Sequence, residues 1–372
     1  VYLELLHLIN FKNYAEAKVE FPARVNFLIG PNGSGKTNLL DAIHLLSATR
    51  SFLHAGDVQH IRYGQAAAQV RGIFAQETGE RRDISCTIPQ QGKKDFRVDN
   101  QPCRRLSDHV GRFPLVVISP HDADLLHDGS EGRRKFFDQF ISQTDPVYLQ
   151  QLVEYHRVLK QRNRILEHYA LHQQLDTDLL ESYDHQLSRT GTAIRDARKQ
   201  FIQQFRPTVE QQYRELVPPA NRNEKVNMQM VPSVFDDYLT QLTAARPKDL
   251  AAGLTTYGIH RDDYRFEFGH GELRKLGSQG QQKTFLVALK LAQVQWIKDR
   301  KGFAPVLLLD DIFDKLDDFR MNHLIDLVTA GSFGQLFVTD AGFDRSAALV
   351  QRLPANAQVF SVEAGHIRQH GR

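Results

Sequence analysis

The chain has 372 residues, of which 41% are hydrophobic, and a formal net charge of +3. That length exceeds what one compact domain usually holds, and so small a charge does not by itself mark a nucleic-acid binder. Two cysteines in unlike contexts, Cys86 and Cys103, exclude a disulfide framework and a cysteine metal site, and no apolar run reaches the length of a membrane span.

The strand-like opening "VYLELLHLINF" carries no signal-peptide pattern, which together with the cysteine usage gives a cytoplasmic expectation. "VNFLIG" (25–30) is a short apolar run ending at Gly30, and Lys36 to Ser47 follows with helical spacing, Leu39, Leu40, Ile43 and Leu46 sharing one face. The runs "AQVRGIFA", "DISCTI" and "DFRVDN" alternate and are parted by Gly, Pro and Asn, which predicts an antiparallel, hairpin-rich section. "LVVIS" (115–119) reads as another buried strand. From about 130 to 216 glycine nearly vanishes. Leu152, Leu159 and Leu166 step by seven, as do Leu180, Leu187 and Ile194, so long helices with narrow apolar seams are expected, as an antiparallel pair. Pro218-Pro219 closes the block, and "VNMQMV" and a helix from about Phe235 to Ala245 follow. Strands return after about 256 with "YRFEF", then a helix from about Gln279 to Lys298, the strand "PVLLLD" (305–310), a helix, and the strand "QLFVT" (335–339). A helical block, 123–255, thus interrupts an α/β domain made of 1–122 and 256–372.

"GPNGSGKT" (30–37) matches the phosphate-loop pattern G-x-x-x-x-G-K-[ST] in full, after an apolar strand and before a helix. Gly30, Pro31, Asn32, Gly33, Ser34 and Gly35 would fold tightly, with several N–H groups aimed at phosphate oxygens. The helix opening at Lys36, Thr37 and Asn38 adds its positive end. Lys36 would reach the β- and γ-phosphates of a nucleotide, and Thr37 would offer its hydroxyl to Mg²⁺. "VLLLDD" (306–311) is a buried strand that delivers two acids at its C-terminal end. Asp310 would help hold the Mg²⁺, and Asp311 would orient the attacking water. ATP and Mg²⁺ are the expected cofactors.

"LGSQGQQKTF" (276–285) is a second glycine-rich turn running into a helix. With the phosphate loop and the Asp-Asp strand end, it resembles the LSGGQ signature of ABC-type ATPases. That resemblance implies that Ser278, Gln279, Gly280 and Gln281 cap the γ-phosphate held by a second copy of the chain, and hence an ATP-dependent homodimer. The resemblance narrows to the RecF family of the SMC-like branch. It is carried, in order along the chain, by "LINFKNY" (8–14), the phosphate loop, "RSF" (50–52), "ISPHDADLLHDGSEGRRKFFDQFI" (118–141), "TTYGIHRDDYRF" (255–266), "GSQGQQKT" and "PVLLLDDIFDKLD" (305–317). It implies an α/β, ABC-type P-loop ATPase head with an antiparallel β section and an inserted, mostly helical domain. It implies a slow ATPase used as a switch in recombinational repair, binding duplex or gapped DNA, with RecR and RecO as protein partners and no membrane.

Residue by residue, the resemblance places Lys12 and Asn13 near the nucleotide phosphates and Asp317 in the loop that signals across the dimer. Lys12 stands where the family prefers Arg, which keeps the charge and loses the fork. Asp311 stands where most ABC enzymes have Glu, a trait often seen in RecF-like sequences, and the shorter acid predicts slow hydrolysis. His121 replaces an expected acid, and Asp340 stands where transporters carry a switch histidine, so the γ-phosphate sensor is unassigned, with Thr339 a candidate.

Elsewhere the bland reading is preferred. His260 reads as structural, and Arg261, Asp262 and Asp263 as a salt-bridge network. The basic clusters Arg81-Arg82; Lys93, Lys94, Arg97, Arg104 and Arg105; Arg133-Arg134-Lys135; and Lys160, Arg162 and Arg164 could each line a phosphate-contacting surface or be solvated faces. Two other readings stay open at this point: the head of another SMC-like genome-maintenance ATPase, and a transporter-type ABC ATPase, against which the "NFKNY" turn and Asp340 argue.

Overall fold

The computed structural model of the protein describes residues 1–53, 56–76, 79–235, 237–311, 318–329, 333–342 and 357–370. The chain divides into two compact units. The first gathers Val1–Asp122, Glu215–Arg222 and Leu286–Arg372; the second gathers Ala123–Arg214 and Asn223–Phe285.

The first unit holds two sheets. One is antiparallel, built from β1 (Tyr2–Phe11), β2 (Tyr14–Glu20), β4 (Ala67–Ala75), β5 (Arg81–Pro89), β6 (Asp95–Val98) and β7 (Gln101–Pro102), in the order β2-β1-β4-β5-β6-β7. Its hairpins follow turn chemistry: Asp99 and Asn100 both take positive φ between β6 and β7, the pairing that a tight two-residue hairpin demands. The other sheet runs β15-β14-β3-β13-β12-β8. There β3 (Val25–Ile29), β8 (Leu115–Ile118), β12 (Val306–Leu309), β13 (Leu336–Asp340) and β14 (Ala357–Glu363) are parallel, and β15 (His366–His370) closes one edge antiparallel. β3 and β12 are buried at every position, as their unbroken apolar runs require of a sheet covered on both faces.

Helix α1 (Lys36–Ala48) is buried nearly all round, and Leu39, Leu40, Ile43 and Leu46 share one apolar cluster with Leu3, Leu6 and Leu8 of β1, Val70 and Phe74 of β4, and Leu308 and Phe337 of the parallel sheet. A helix apolar on all sides belongs in a core, and this burial fixes the helix that carries the phosphate loop. The same unit contains α9 (Asp318–Thr329) and most of α8 (Gln279–Lys301).

The second unit is mostly helical: α2 (Asp124–His127), α3 (Ser130–Thr144), α4 (Pro146–His172), most of α5 (Thr177–Leu216), α6 (Tyr238–Ala252) and α7 (Leu273–Leu276). Asp145 caps α4 by accepting from Tyr148 N at 2.9 Å, with Pro146 at the first helical position. A small sheet, β11 (Gly271–Glu272), β10 (Asp263–Phe268) and β9 (Val226–Val231), completes the unit. The sequence ends the inserted domain at 255, whereas the compact unit runs on to Phe285. Pairing is the reason. β10 is bonded to β9 from Asp263↔Val231 to Phe268↔Val226, so it stays with the block that holds its partner.

The helical seam is also not purely apolar. On α4, Arg162 is fully buried and donates to Asp184 at 2.6 Å, Asp249 at 2.7 Å and the Thr255 hydroxyl at 2.8 Å. Arg198 of α5 is likewise buried between Asp138 and Asp262. Buried charges persist only when paired and hydrogen-bonded, and both arginines meet that condition.

Candidate functional site

Three neighbouring parallel strands, β3, β13 and β12, deliver the site at their C-terminal ends. β13 lies between the other two, so its last residues stand between the phosphate loop and the paired aspartates. That edge is where open α/β sheets bind ligands.

The loop leaves β3 at Gly30, where a Cβ would stand 2.0 Å from the Val362 carbonyl oxygen of β14, so only glycine fits. Gly33 and Gly35 take φ of +79° and +113°. Tyr14 donates its hydroxyl to Gly35 O at 2.9 Å, and Asn13 Nδ2 donates to Ser34 O at 2.9 Å. Asn38 returns a bond to Asn13 Oδ1 at 2.7 Å. Asn13 thus ties the loop to the first turn of α1, a propping role that the motif alone does not reveal. Ser34 Oγ is buried without a hydrogen-bond partner among the described residues, which suits a donor to an anion cradled by the loop.

Lys36 is 7% exposed, and its ammonium donates to Gly30 O at 2.6 Å and Pro31 O at 3.0 Å. Burial lowers its pKa, against the opposing charges of Asp311, Asp310 and Asp340. Lys12 has φ +50°, and its ammonium sits 2.5 Å from Asp41 Oδ2. Asp41 is a buried acid inside the apolar run of α1 and also accepts from Ser51 Oγ at 2.7 Å and Phe52 N at 3.0 Å. Burial pushes its carboxyl up, but the adjoining His60 and Lys12 outweigh that and hold it well below the usual carboxylate range. Sequence reasoning missed Asp41; its signal is one acid in "LLDAIHLL", apolar but for Asp41 and His44.

Asp310 is 3% exposed and accepts from Thr37 Oγ1 at 2.9 Å and Thr339 Oγ1 at 2.8 Å. Burial raises its pKa, and the two hydroxyls oppose that. Thr339 also accepts from Asp311 N at 2.9 Å, so it fixes both acids. Thr37 and Asp310 form an all-oxygen donor set of the kind that suits Mg²⁺. Asp311 is half-buried with φ +48°, a conformation few side chains adopt readily. Asp340 is buried at the end of β13, where its carbonyl accepts from Gly30 N at 3.2 Å. At the departure noted beside His121, Asp122 supplies the acid: it accepts from Ser119 N at 2.9 Å and pairs with Lys290 at 2.6 Å. Asp317 lies outside the described residues.

The signature loop lies in the second unit. Ser278, Gln279 and Gly280 are exposed, and Leu276 before them is 58% exposed. Ser278 N donates to Gln281 Oε1 at 2.8 Å, and Gln281 N donates to Ser278 Oγ at 3.3 Å, a reciprocal cap at the start of α8. Gly277 is required locally, since a Cβ there would stand 2.7 Å from Leu273 Cδ1. Gly280 is not: a Cβ would meet only Ser278 Oγ, at 3.9 Å.

Several basic residues are already committed. Arg81 pairs with Glu4, Arg82 with Glu80 and Asp99, Lys94 with Asp57, and Arg97 with Asp95. Arg133 is bound to Asp263, Arg134 to the Asp262 carbonyl, and Lys135 to Glu131. Arg162 is buried, which removes it from the surface cluster expected with Lys160 and Arg164. Lys93, Arg104 and Arg105 are exposed and make no ion pair among the described residues. Cys103 N donates to Phe96 O at 2.8 Å, which brings Arg104 and Arg105 alongside the 93–95 segment. His260 is structural, with its ring nitrogens 2.8 Å from Tyr155 Oη and 3.1 Å from Thr255 O.

A family model described as the RecF/RecN/SMC N terminal domain matches residues 2–365. The DNA replication and repair protein RecF of Cytophaga hutchinsonii is 40% identical over 370 residues, covering 99% of this chain and 97% of its own length. That of Flavobacterium johnsoniae is 39% identical over 363 residues, covering 97% and 100%. A solved structure of the recombination mediator RecF with ATP, of the RecFOR pathway, superimposes with a TM-score of 0.88 at 27% identity, over 100% of this chain and 98% of the other. The Smc head domain of Pyrococcus furiosus, bound to the C-terminal domain of ScpA, is 16% identical with a TM-score of 0.56 over 99% of this chain and 96% of its own, and shares the fold. The architecture is that of an ABC-type ATPase head. No helix among the described residues is long and apolar enough to cross a membrane.

Proposed function

From membership of the RecF/RecN/SMC N-terminal-domain family, to which this chain belongs, we propose that the protein is an ATP-dependent DNA clamp of replication and recombinational repair. Two copies bind head to tail around two ATP molecules, close on duplex or gapped DNA, and are released by slow hydrolysis. The observation that carries the reading is the unequal provision for the two glycine loops. Gly30 is required by its own sheet, whereas a Cβ at exposed Gly280 would meet only Ser278 Oγ, at 3.9 Å, among the described residues. A glycine without a local reason suits close approach of a ligand held elsewhere.

In this reading the N–H groups of Gly33, Ser34, Gly35, Lys36 and Thr37 surround the phosphates, with Pro31, Asn32 and Asn38 shaping the loop, Asn13 propping it, and Lys12 near the phosphates once it leaves Asp41. Lys36 exchanges its carbonyl partners for β- and γ-phosphate oxygens. Thr37 and Asp310 would hold Mg²⁺, which when bound offsets phosphate charge. Asp311 orients water for in-line attack and accepts its proton on a carboxylate oxygen. Ser278, Gln279, Gly280 and Gln281 form the trans half of the partner's site, and Asp317 signals across the interface. ATP favours closure because the signature loop gains phosphate contacts only in the dimer.

Lys93, Arg104 and Arg105 are the cations we assign to DNA backbone phosphates, since they are exposed and no carboxylate among the described residues pairs with them. RecR and RecO are the protein partners by kinship with proteins of the RecFOR pathway. The central test is light scattering with and without ATP. A monomer that becomes a dimer only with ATP is expected; a dimer that forms equally without nucleotide would falsify the trans-site reading. Duplex binding that ignores ATP would sink the clamp and leave the ATPase intact.

A further inference from the structure

The signature loop is tied to a residue that no sequence motif marks. Glu224 precedes β9 and is half-buried. Its Oε1 accepts from Gln281 Nε2 at 2.9 Å, and its Oε2 accepts from the Tyr213 hydroxyl at 2.7 Å. Tyr213 is fully buried near the end of α5. All these residues belong to the second unit. A hydrogen-bonded chain therefore runs from Tyr213 through Glu224 and Gln281 to Ser278.

The chemistry of the amide gives this chain a direction. Gln281 has one acceptor oxygen and one donor NH₂ group. A carboxylate only accepts, so Glu224 binds the NH₂ end and turns the oxygen toward Ser278 N. The reversed amide would face one N–H donor with another and leave the carboxylate opposite an oxygen. With the amide fixed, Gln281 N donates to Ser278 Oγ. That bond takes a lone pair of the serine oxygen and leaves its hydrogen to point outward.

We propose that Glu224 is a positioning residue of the signature loop. It holds Gln281 so that the Ser278 hydroxyl is presented as a donor to an anion, and Gln281 is itself a brace that does not touch the anion. This rests on the ATP-shared dimer proposed above and assigns separate tasks within its trans half: Ser278 and Gly280 make the contact, while Gln281 and Glu224 hold them in place. Hydrogen bonds to an ionised group are the stronger kind, so the brace is stiff enough to matter.

The test compares the ATP-dependent dimer dissociation constant, ATP binding by the monomer and the melting temperature across a charge exchange. Glu224→Ala should weaken dimerisation about tenfold or more, with monomer ATP binding unchanged. Gln281→Glu should do the same, because it sets a carboxylate against Glu224. The double variant Glu224→Gln/Gln281→Glu reverses donor and acceptor, keeps an oxygen for Ser278 N, and should dimerise within a few fold of wild type. Were Gln281 a ligand of the partner's nucleotide, the introduced carboxylate would face phosphates and the double variant would stay as weak as Gln281→Glu. That outcome, or a Glu224→Ala protein that dimerises as wild type does, overturns the proposal. Failure of wild type to dimerise with ATP overturns instead the reading on which it rests.

Discussion

The phosphate loop and the signature loop are both glycine-rich turns that open helices, yet the chain supports them in different ways. The first is exposed at Pro31, Asn32 and Gly33 but braced at both ends. Val362 crowds Gly30, Tyr14 and Asn13 bond its carbonyls, and Lys36 is buried. The second is exposed and closed largely on itself, by Ser278 and Gln281. A loop whose ends and lysine its own fold holds in place can bind a ligand alone. A loop that offers exposed donors and an unconstrained glycine is suited to finishing a site begun elsewhere.

The largest effect should come from Lys36→Met, which removes the ammonium proposed to bind the phosphates. ATP binding by calorimetry should weaken at least about a hundredfold, and the dimer should vanish with it. Binding close to wild type would mean the phosphate loop is not the primary site. Ser278→Arg should separate the two loops, with ATP bound as in wild type but only monomer in scattering, because a long side chain fills the approach to Gly280. A Ser278→Arg dimer would end the comparison.

Acid should weaken the side of the phosphate loop. His44 on α1 and His109, which is hydrogen-bonded to the Leu46 carbonyl, are buried and pushed down to about 4 by that burial. Their folded values lie below the unfolded value of about 6.5, so the unfolded chain takes up the protons first. Stability from these two groups is present above about pH 6.5 and is lost as pH falls toward 4. Between pH 7 and 5 the loss is on the order of 2 kcal/mol for each histidine, visible as a lower melting temperature. An unchanged melting temperature across that range would contradict their neutral burial.

The glycines sharpen the contrast most, and one of them carries the smallest effect. Gly30→Ala must displace Val362 and should cost about 1–3 kcal/mol. Gly280→Ala lies at the exposed start of a helix and should raise stability by a few tenths of a kcal/mol while weakening the ATP-dependent dimer. Equal stability losses in the two variants would show that the chain makes the same demand of both loops.

Much of this site is written in local sequence. The phosphate loop, the Asp-Asp strand end and the second glycine turn are contiguous motifs whose geometry follows from short-range rules, and Lys36, Asp310 and Thr37 do come together. Thr339 was legible only as a candidate, because its task depends on β13 lying between β3 and β12, a matter of strand order. Asp41 showed only as an acid within an apolar helix run, and Glu224 was not legible, since it acts on Gln281, far along the chain. The end of the inserted domain was misplaced for the same reason: β10 looks like any strand until its partner β9 is known. Leu152 and Leu166 were read as a plain apolar seam, and they are buried, but helical periodicity could not show that Arg162 shares it. A surface arginine and a buried one look alike until the aspartates that face them are placed.

Asp311 carries one more consequence. Its φ of +48° lies in the left-handed region, where aspartate is among the non-glycine residues found most often. Exchange of this aspartate for the longer glutamate would therefore give up a local backbone preference as well as change the reach of the acid. On the proposed function, the time a closed clamp persists depends on how far this acid reaches. That timing is then tied to a backbone angle as well as to a side-chain length.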